Sequence, residues 1–224
     1  LGANAPNSVA IADVKGDGNP DLMLATDGNN ISVLLNTSAP GTTTPSFAAT
    51  QSFVAGGGNI QFITTSDING DGKPDLIVTG GGNAVSVLLN TTAPGSSTLS
   101  FAAAQSFPTP NGPSSVSAVD IDGDGRPDLI VSNSAFANPS NTVSVLLNTT
   151  APGASTPSFA TQQAFATGEY PHSAIATDIN SDGKPDIVVA NTGSGTISVL
   201  INRQYQAEVF GSPATGTIVH NYIS

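Results

Sequence analysis

Asp120-Ile121-Asp122-Gly123-Asp124-Gly125-Arg126-Pro127-Asp128 sets four carboxylates at alternating positions along nine residues. The pattern begins again at Asp13, Asp67 and Asp178, and each copy ends in Pro-Asp followed by a short apolar run such as Leu129 to Val131. The starts lie 54, 53 and 58 residues apart, so the chain is a repeat protein before it is anything else. A hard divalent cation takes about six to eight oxygens at about 2.3–2.6 Å, and a loop with side chains at positions 1, 3 and 5 and a carbonyl at position 7 can wrap one. In the second copy those groups are Asp67, Asn69, Asp71 and the Lys73 carbonyl, with Asp75 at position 9 to close the shell. Gly72 at position 6 permits the sharp turn. No copy has Glu at position 12 and each runs into a β-like segment, which argues against a helix–loop–helix calcium hand. The alternative is that Asp-Gly and Asn-Gly only mark hairpin turns. Crowded like carboxylates favour the cation, because they repel unless a cation or protons compensate them.

The charge distribution supports the same reading. The chain has 224 residues, 38% of them hydrophobic, enough for a real core in an ordinary globular protein. Only 9% of residues are charged, yet the net charge is −11, and the four loops hold 13 of the 16 acidic residues and four of the five basic ones. Outside them stand only Asp27, Glu169, Arg203 and Glu208. Four bound Ca²⁺ would bring the formal charge to about −3, making the metal a structural counter-ion. An acidic chain without a basic patch is a poor partner for nucleic acid or an anionic membrane, and no apolar run approaches the length of a membrane span. The absence of Met at position 1 and of a signal-like start implies that the chain begins inside a longer or processed polypeptide. Cysteine is absent, so disulfide and thiolate chemistry are excluded and the compartment stays open. The abundance of Ca²⁺ outside cells points to secretion.

Between the loops, period-2 segments of five to eight residues alternate with turn clusters, and no apolar series has helical spacing. The first repeat reads as strands Ser8–Ala12, Asp21–Thr26, Ile31–Asn36 and Ser46–Phe53. The second reads as Gln61–Ser66, Asp75–Gly80, Val85–Asn90 and Ser100–Phe107, the third as Ser115–Val119, Asp128–Asn133, Val143–Asn148 and Ser158–Phe165. The fourth keeps Ser173–Thr177, Asp186–Asn191 and Ile197–Asn202, takes its last strand from Tyr205–Phe210, and leaves Thr217–Tyr222 as a surplus strand. That surplus could close a ring, begin a next module or join one chain to another. Four short antiparallel strands about every 55 residues match one propeller blade. The expectation is therefore a single all-β domain over residues 1–224, with blades near 5–53, 60–107, 114–165 and 172–211 and an extra strand at 216–223.

The Phe-containing strand, the Asp-x-Asn-Gly-Asp-Gly-Lys-Pro-Asp-Leu loop and Val-Ser-Val-Leu-Leu-Asn together resemble the FG-GAP/VCBS repeats of bacterial surface proteins, related to the integrin α-subunit propeller, over about residues 5–202. The resemblance implies Ca²⁺ at Asp67, Asn69, Asp71 and Asp75, at Asp120, Asp122, Asp124 and Asp128, and at Asp178, Asn180, Asp182 and Asp186, with the carbonyls of Lys73, Arg126 and Lys184 contributing. Loop one departs from it. Lys15 stands at position 3, where an ammonium repels a cation, so Asp13, Asp17 and Asp21 hold a weaker ion or none. Propellers of this family usually carry six to eight blades, so four repeats imply a small closed ring or part of a larger ring or array.

With strands running up and down in order, the Asp loops share one face with the Thr-rich linkers, and the opposite face collects the residues that do not repeat. Phe136 and Asn141 in an insertion, and Tyr170 and His172 before the fourth repeat, form a candidate recognition patch there. The alternative is simple loop-length variation, with Tyr170 and His172 packed between blades. No nucleophile elbow, phosphate loop or paired metal-ligand histidines appear, and repeated identical carboxylate sets do not make an acid/base pair, so an enzyme is not expected. The expected role is adhesive, structural or self-assembling, towards a cell-surface or matrix protein or a glycan. A lectin-like propeller is the alternative, weakened by the absence of Trp and by only three Tyr. Asn36-Thr37-Ser38, Asn90-Thr91-Thr92 and Asn148-Thr149-Thr150 are glycosylation-type triplets, or turn starts of the kind Asn and Thr commonly make.

Overall fold

The computed structural model describes residues 5–56, 58–134, 140–203 and 218–221. Among these residues sixteen strands form four sheets in chain order. The first contains β1 (Pro6–Ala12), β2 (Asp21–Thr26), β3 (Asn30–Leu34) and β4 (Gln51–Val54), and the second β5 (Ile60–Ser66), β6 (Asp75–Gly80), β7 (Ala84–Leu88) and β8 (Gln105–Pro108). The third holds β9 (Pro113–Val119), β10 (Asp128–Asn133), β11 (Thr142–Leu146) and β12 (Gln163–Ala166), and the fourth β13 (Pro171–Thr177), β14 (Asp186–Asn191), β15 (Thr196–Leu200) and β16 (Ile218–Asn221). No helix occurs among the described residues.

The first three sheets are antiparallel meanders, as the alternation of strands and turns predicts. The fourth differs. Its outer strand is β16, which runs parallel to β15 with Ile197 opposite Ile218. The stretch expected as surplus therefore completes this sheet, and a parallel partner needs a long return connection. The expected strand Tyr205–Phe210 lies outside the described residues. The expected fourth strands of the first three repeats are also shorter than read. Asn36, Asn90 and Asn148 each make an isolated bridge to Phe47, Phe101 and Phe159, and the continuous outer strand starts only at Gln51, Gln105 and Gln163.

The sheets stack through their faces. β1 packs on β5, β5 on β9 and β9 on β13, which makes the first strand of every repeat the innermost. No packing of this kind joins β13 back to β1 among the described residues. Three apolar cores fill the three junctions. Met23, Ile31 and Val33 meet Ile63, Leu76 and Val78; Ile77 and Val87 meet Val116 and Leu129; Ile130 and Val145 meet Ala174 and Ile187. β6 and β10 are buried on both faces, which is why Leu-Ile-Val runs without alternation there, and each such side chain contributes about 1.5–3 kcal/mol. The Phe residues pack sheet on sheet as well. Phe53 meets Phe101 edge to face at 4.9 Å, and Phe107 meets Phe159 at 4.8 Å.

Each innermost strand carries a bulge that accommodates one extra residue: Asn7, Gln61, Ser114 and His172. Asn7 Nδ2 donates to Ile60 O at 2.9 Å and Ser114 Oγ to Pro171 O at 3.1 Å, so these side chains reach the following repeat.

Candidate metal loops and a pocket at the inner strands

The Asp loops build themselves from position 1. In the third repeat Asp120 Oδ1 accepts the amides of Gly123 and Asp124 at 2.8 and 3.0 Å, and Oδ2 accepts Gly125 N–H at 2.8 Å. Gly125 holds φ +85, which glycine alone adopts without strain. The second and fourth loops repeat the bonds from positions 5 and 6 to Asp67 and Asp178, and Asn69 and Asn180 turn Oδ1 inward to accept the amides of Asp71 and Asp182. The fourth loop places Ser181 at φ +63 where the others have glycine.

This wrapping brings Asp120, Asp122 and Asp124 together, each with an oxygen within 4.8 Å of the others. Two ligands at about 2.4 Å from one ion lie no more than about 4.8 Å apart, so the donor set fits a hard divalent cation. Burial raises the Asp122 pKa above the ordinary carboxylate value, and the charges of Asp124 and Asp120 add to the shift. The position-7 side chains lean back over the loop. Arg126 pairs with Asp124 through Nη2 and donates from Nε to Asn148 O at 2.8 Å, while Lys73 Nζ lies 3.9 Å from Asp71.

Loop one is chemically different, as Lys15 implies. Its ammonium sits 2.8 Å from Asp17 Oδ2, which lowers the Asp17 pKa and raises that of Lys15. Asp13 still wraps Gly16, Asp17 and Gly18 through its oxygens. The loop thus places an ammonium at position 3, where the other loops offer the side-chain oxygens of Asn69, Asp122 and Asn180.

Position 9 has a second task. Asp75 is fully buried, and its oxygens accept Ile68 N–H at 2.8 Å and Asn90 N–H at 2.7 Å. Asp128 does the same with Ile121 and Asn148, Asp186 with Ile179 and Asn202, and Asp21 with Lys15 and Asn36. Each carboxylate ties its loop to the end of the third strand of its own sheet. Burial pushes Asp75 and Asp128 up to about 6, against the pull of those amide bonds. A folded pKa raised above the ordinary 3.8 means that the native state binds the proton more tightly, so stability increases as pH falls through 6 towards 4. Urea denaturation in EDTA is expected to show a gain on the order of 2 kcal/mol between pH 7.5 and 5, and a flat or falling profile would contradict it.

The amide of the following Asn completes the joint. Asn90 Nδ2 donates to Val14 O at 2.8 Å, Asn148 Nδ2 to Ile68 O at 2.9 Å and Asn202 Nδ2 to Ile121 O at 2.7 Å, each reaching position 2 of the preceding repeat's loop. Their Oδ1 atoms in two repeats accept the amides of Thr92 and Thr150. Asn90 and Asn148 are buried with these turn bonds made, in keeping with the turn-start reading of the two Asn-Thr-Thr triplets. The sequence displayed the signal, an Asn ending every third strand, but not its partner.

Asp loops and Thr-rich linkers do share a face: Gly153 N donates to Asn69 O, and Asn69 Nδ2 to Ala154 O at 3.0 Å. On the other side a pocket of about 590 Å³ opens where the inner strands begin, lined by all four bulge residues, Asn7, Gln61, Ser114 and His172, and by Tyr170. Tyr170 and His172 of the expected patch are thus brought together. Asn141 stands behind them, its Oδ1 accepting Tyr170 N–H at 3.1 Å, and Phe136 lies outside the described residues. Tyr170 is held at φ +51, with Thr192 donating to its carbonyl and its ring filling the space that a side chain on Gly193 would need. The bulges were not legible beforehand, because the four residues share no chemistry that marks the position.

The FG-GAP-like repeat model matches residues 13–78 and 67–131, and the FG-GAP repeat model matches residues 170–200. No curated protein sequence matches the chain significantly. Among solved structures, the crystal structure of BBS1N in complex with ARL6DN, soaked with lead, matches with a TM-score of 0.55 at 16% identity, covering 93% of this chain and 57% of that one. At that identity the likeness shows the fold alone, and this chain spans little more than half of the matched one. The repeat matches run through all four Asp loops and strands that they tie together, the FG-GAP-like model alone spans more than half of the sequence, and the chain belongs to the FG-GAP-like repeat family.

Proposed function

We propose that this chain is a Ca²⁺-stabilised, non-catalytic β-propeller module of a secreted or cell-surface protein, with an adhesive or structural role towards a surface or matrix protein or a glycan. The convergence of Asp120, Asp122 and Asp124 carries the metal part of this reading. Three loops stand at equivalent positions, each tied by its own buried carboxylate to the Asn that reaches the preceding repeat. Cations held there act as hairpin staples, and any specific recognition belongs to the opposite face, where Tyr170 and His172 line the pocket. The family is commonly adhesion-related, in keeping with this assignment.

Calorimetry should count three Ca²⁺ per chain, and millimolar Ca²⁺ should raise the unfolding temperature above that in EDTA, since metal held only by the folded state stabilises it by mass action. Lys15→Asn restores an oxygen at position 3 and removes the internal ammonium, so the count should rise to four. Identical melting curves in Ca²⁺ and EDTA would overturn the metal reading. A carbohydrate ligand is the second reading, favoured by the polar bulge residues beside Tyr170 in one pocket. A glycan array probed with and without EDTA separates it from a purely structural role.

A further inference from the structure

The four Asp loops treat one oxygen of the position-5 carboxylate alike and the other differently. Asp17, Asp71, Asp124 and Asp182 each accept the position-7 main-chain amide on Oδ1, at 2.9 or 3.0 Å. Against Oδ2 each loop sets a different partner. In loop one it is the Lys15 ammonium at 2.8 Å, reaching in from position 3, and in loop two the Lys73 ammonium at 3.9 Å. In loop four the neutral amide of Asn180 donates to Asp182 at 3.1 Å. In loop three Nη2 of Arg126 pairs with Asp124, so one residue engages both oxygens of this carboxylate.

The Arg126 side chain is mounted as well as paired. Its Nε donates to Asn148 O at 2.8 Å, and Asn148 is itself fixed, its amide on Asp128 at 2.7 Å and its side chain on Ile68 O and Pro127 O. A planar fork held in this way keeps its charge over the loop with little further loss of side-chain freedom, which the ammonium of Lys73 at 3.9 Å does not match. The same loop carries the highest acidic charge, since position 3 is Asp122 where the others have Lys15, Asn69 and Asn180. Affinity for a hard cation is tuned by the number of charged ligands, so charge count alone would make loop three the tightest site.

We propose that Arg126 sets the cation affinity of loop three, acting as a tethered counter-ion that Ca²⁺ must displace from Asp124. The inference rests on the metal reading above and adds to it a residue that works against binding. Two effects combine. The guanidinium repels a divalent cation, and its charge-assisted bond to Oδ2 stabilises Asp124 before coordination, which reduces what coordination gains. Together they hold the affinity about tenfold below that of the same donors without the guanidinium, even with strong solvent screening. Loop one carries the device further, because Lys15 occupies a ligand position as well as pairing with Asp17.

The test is a Ca²⁺ titration of the full 224-residue chain, followed site by site through the amide resonances of Gly72, Gly125 and Gly183, the position-6 glycines that donate to the first Asp of their loops. Arg126→Gln is expected to move the Gly125 midpoint to about tenfold lower Ca²⁺ and to leave the Gly183 midpoint within about twofold. Arg126→Lys keeps the charge but loses the fork, so its midpoint should fall between wild type and Arg126→Gln. Lys73→Gln removes a charge that stands farther from its carboxylate, and should move Gly72 by less than Arg126→Gln moves Gly125. A second readout separates a counter-ion from a structural tether. The urea midpoint of Arg126→Gln should drop further in EDTA than in millimolar Ca²⁺, whereas loss of the bond to Asn148 O alone would lower it equally in both. Equal drops, or a Gly125 midpoint that is unchanged or higher in Arg126→Gln, would overturn the inference and leave the metal reading standing. If none of the three glycine resonances of the wild type responds to millimolar Ca²⁺, the metal reading fails and the inference with it.

Discussion

Asp128→Ala is expected to lower the unfolding free energy by roughly 2–4 kcal/mol, a large share of a typical domain's total of about 5–15. Both oxygens of this fully buried carboxylate accept main-chain amides, from Ile121 at 2.9 Å and Asn148 at 2.7 Å. Removing it strands two buried donors, each costing about 1–3 kcal/mol, and the relief of a desolvated charge offsets only part of that. Asp128→Asn keeps one acceptor but turns an amide donor on the second N–H, so it should recover no more than half of the loss. Asp21→Ala should cost less than Asp128→Ala, because the Lys15 amide reaches Asp21 only at 3.3 Å and the loop lies at the edge of the array. Urea midpoints at constant slope measure all three, and equal effects at positions 21 and 128 would contradict the role given to this residue.

Asn148→Ala is expected to cost about 3 kcal/mol. Its side chain is 1% exposed and makes three bonds: to Ile68 O at 2.9 Å, to Pro127 O at 3.0 Å, and from Thr150 N at 2.9 Å. Only the bond to Ile68 crosses between repeats. Asn36→Ala is the matched control, since Asn36 makes the bonds to Pro20 O and from Ser38 N but none to a preceding repeat. Its expected cost is about 1 kcal/mol, from half-buried bonds alone. The difference between the two isolates the junction, so equal losses would show that the latch adds nothing.

Most of the architecture was legible because its causes are local. Short alternating or wholly apolar runs between turn clusters located the first three strands of every repeat, and the Asp spacing located the loops to the residue. Lys15 announced the odd loop, and its ammonium bonded to Asp17 is the physical content of that warning. The outer strand of the fourth sheet was misread, because a parallel strand is chosen by where a long return connection can reach, which no local pattern records. The outer strands of the other sheets came out short for a related reason: residues 49–50 read as extended but interrupt the pairing between the bridge at Phe47, with the Ala48 amide on Leu35 O, and the strand from Gln51. Asp75, Asp128 and Asp186 were read as the last metal ligands, and their fastening of buried amides was invisible, since the Asn amides they hold lie 15 to 20 residues away in sequence.

The latch bears on how such a chain could have grown. It grips a main-chain carbonyl, which every residue possesses, and asks of its neighbour only an aliphatic side chain at the same place. A repeat copied in tandem therefore arrives with both halves of the coupling already in register, and no compensating change is needed on either side. Gene duplication can lengthen such an array one unit at a time, leaving the rest of each unit, including the loops around Tyr170 and His172, free to diverge.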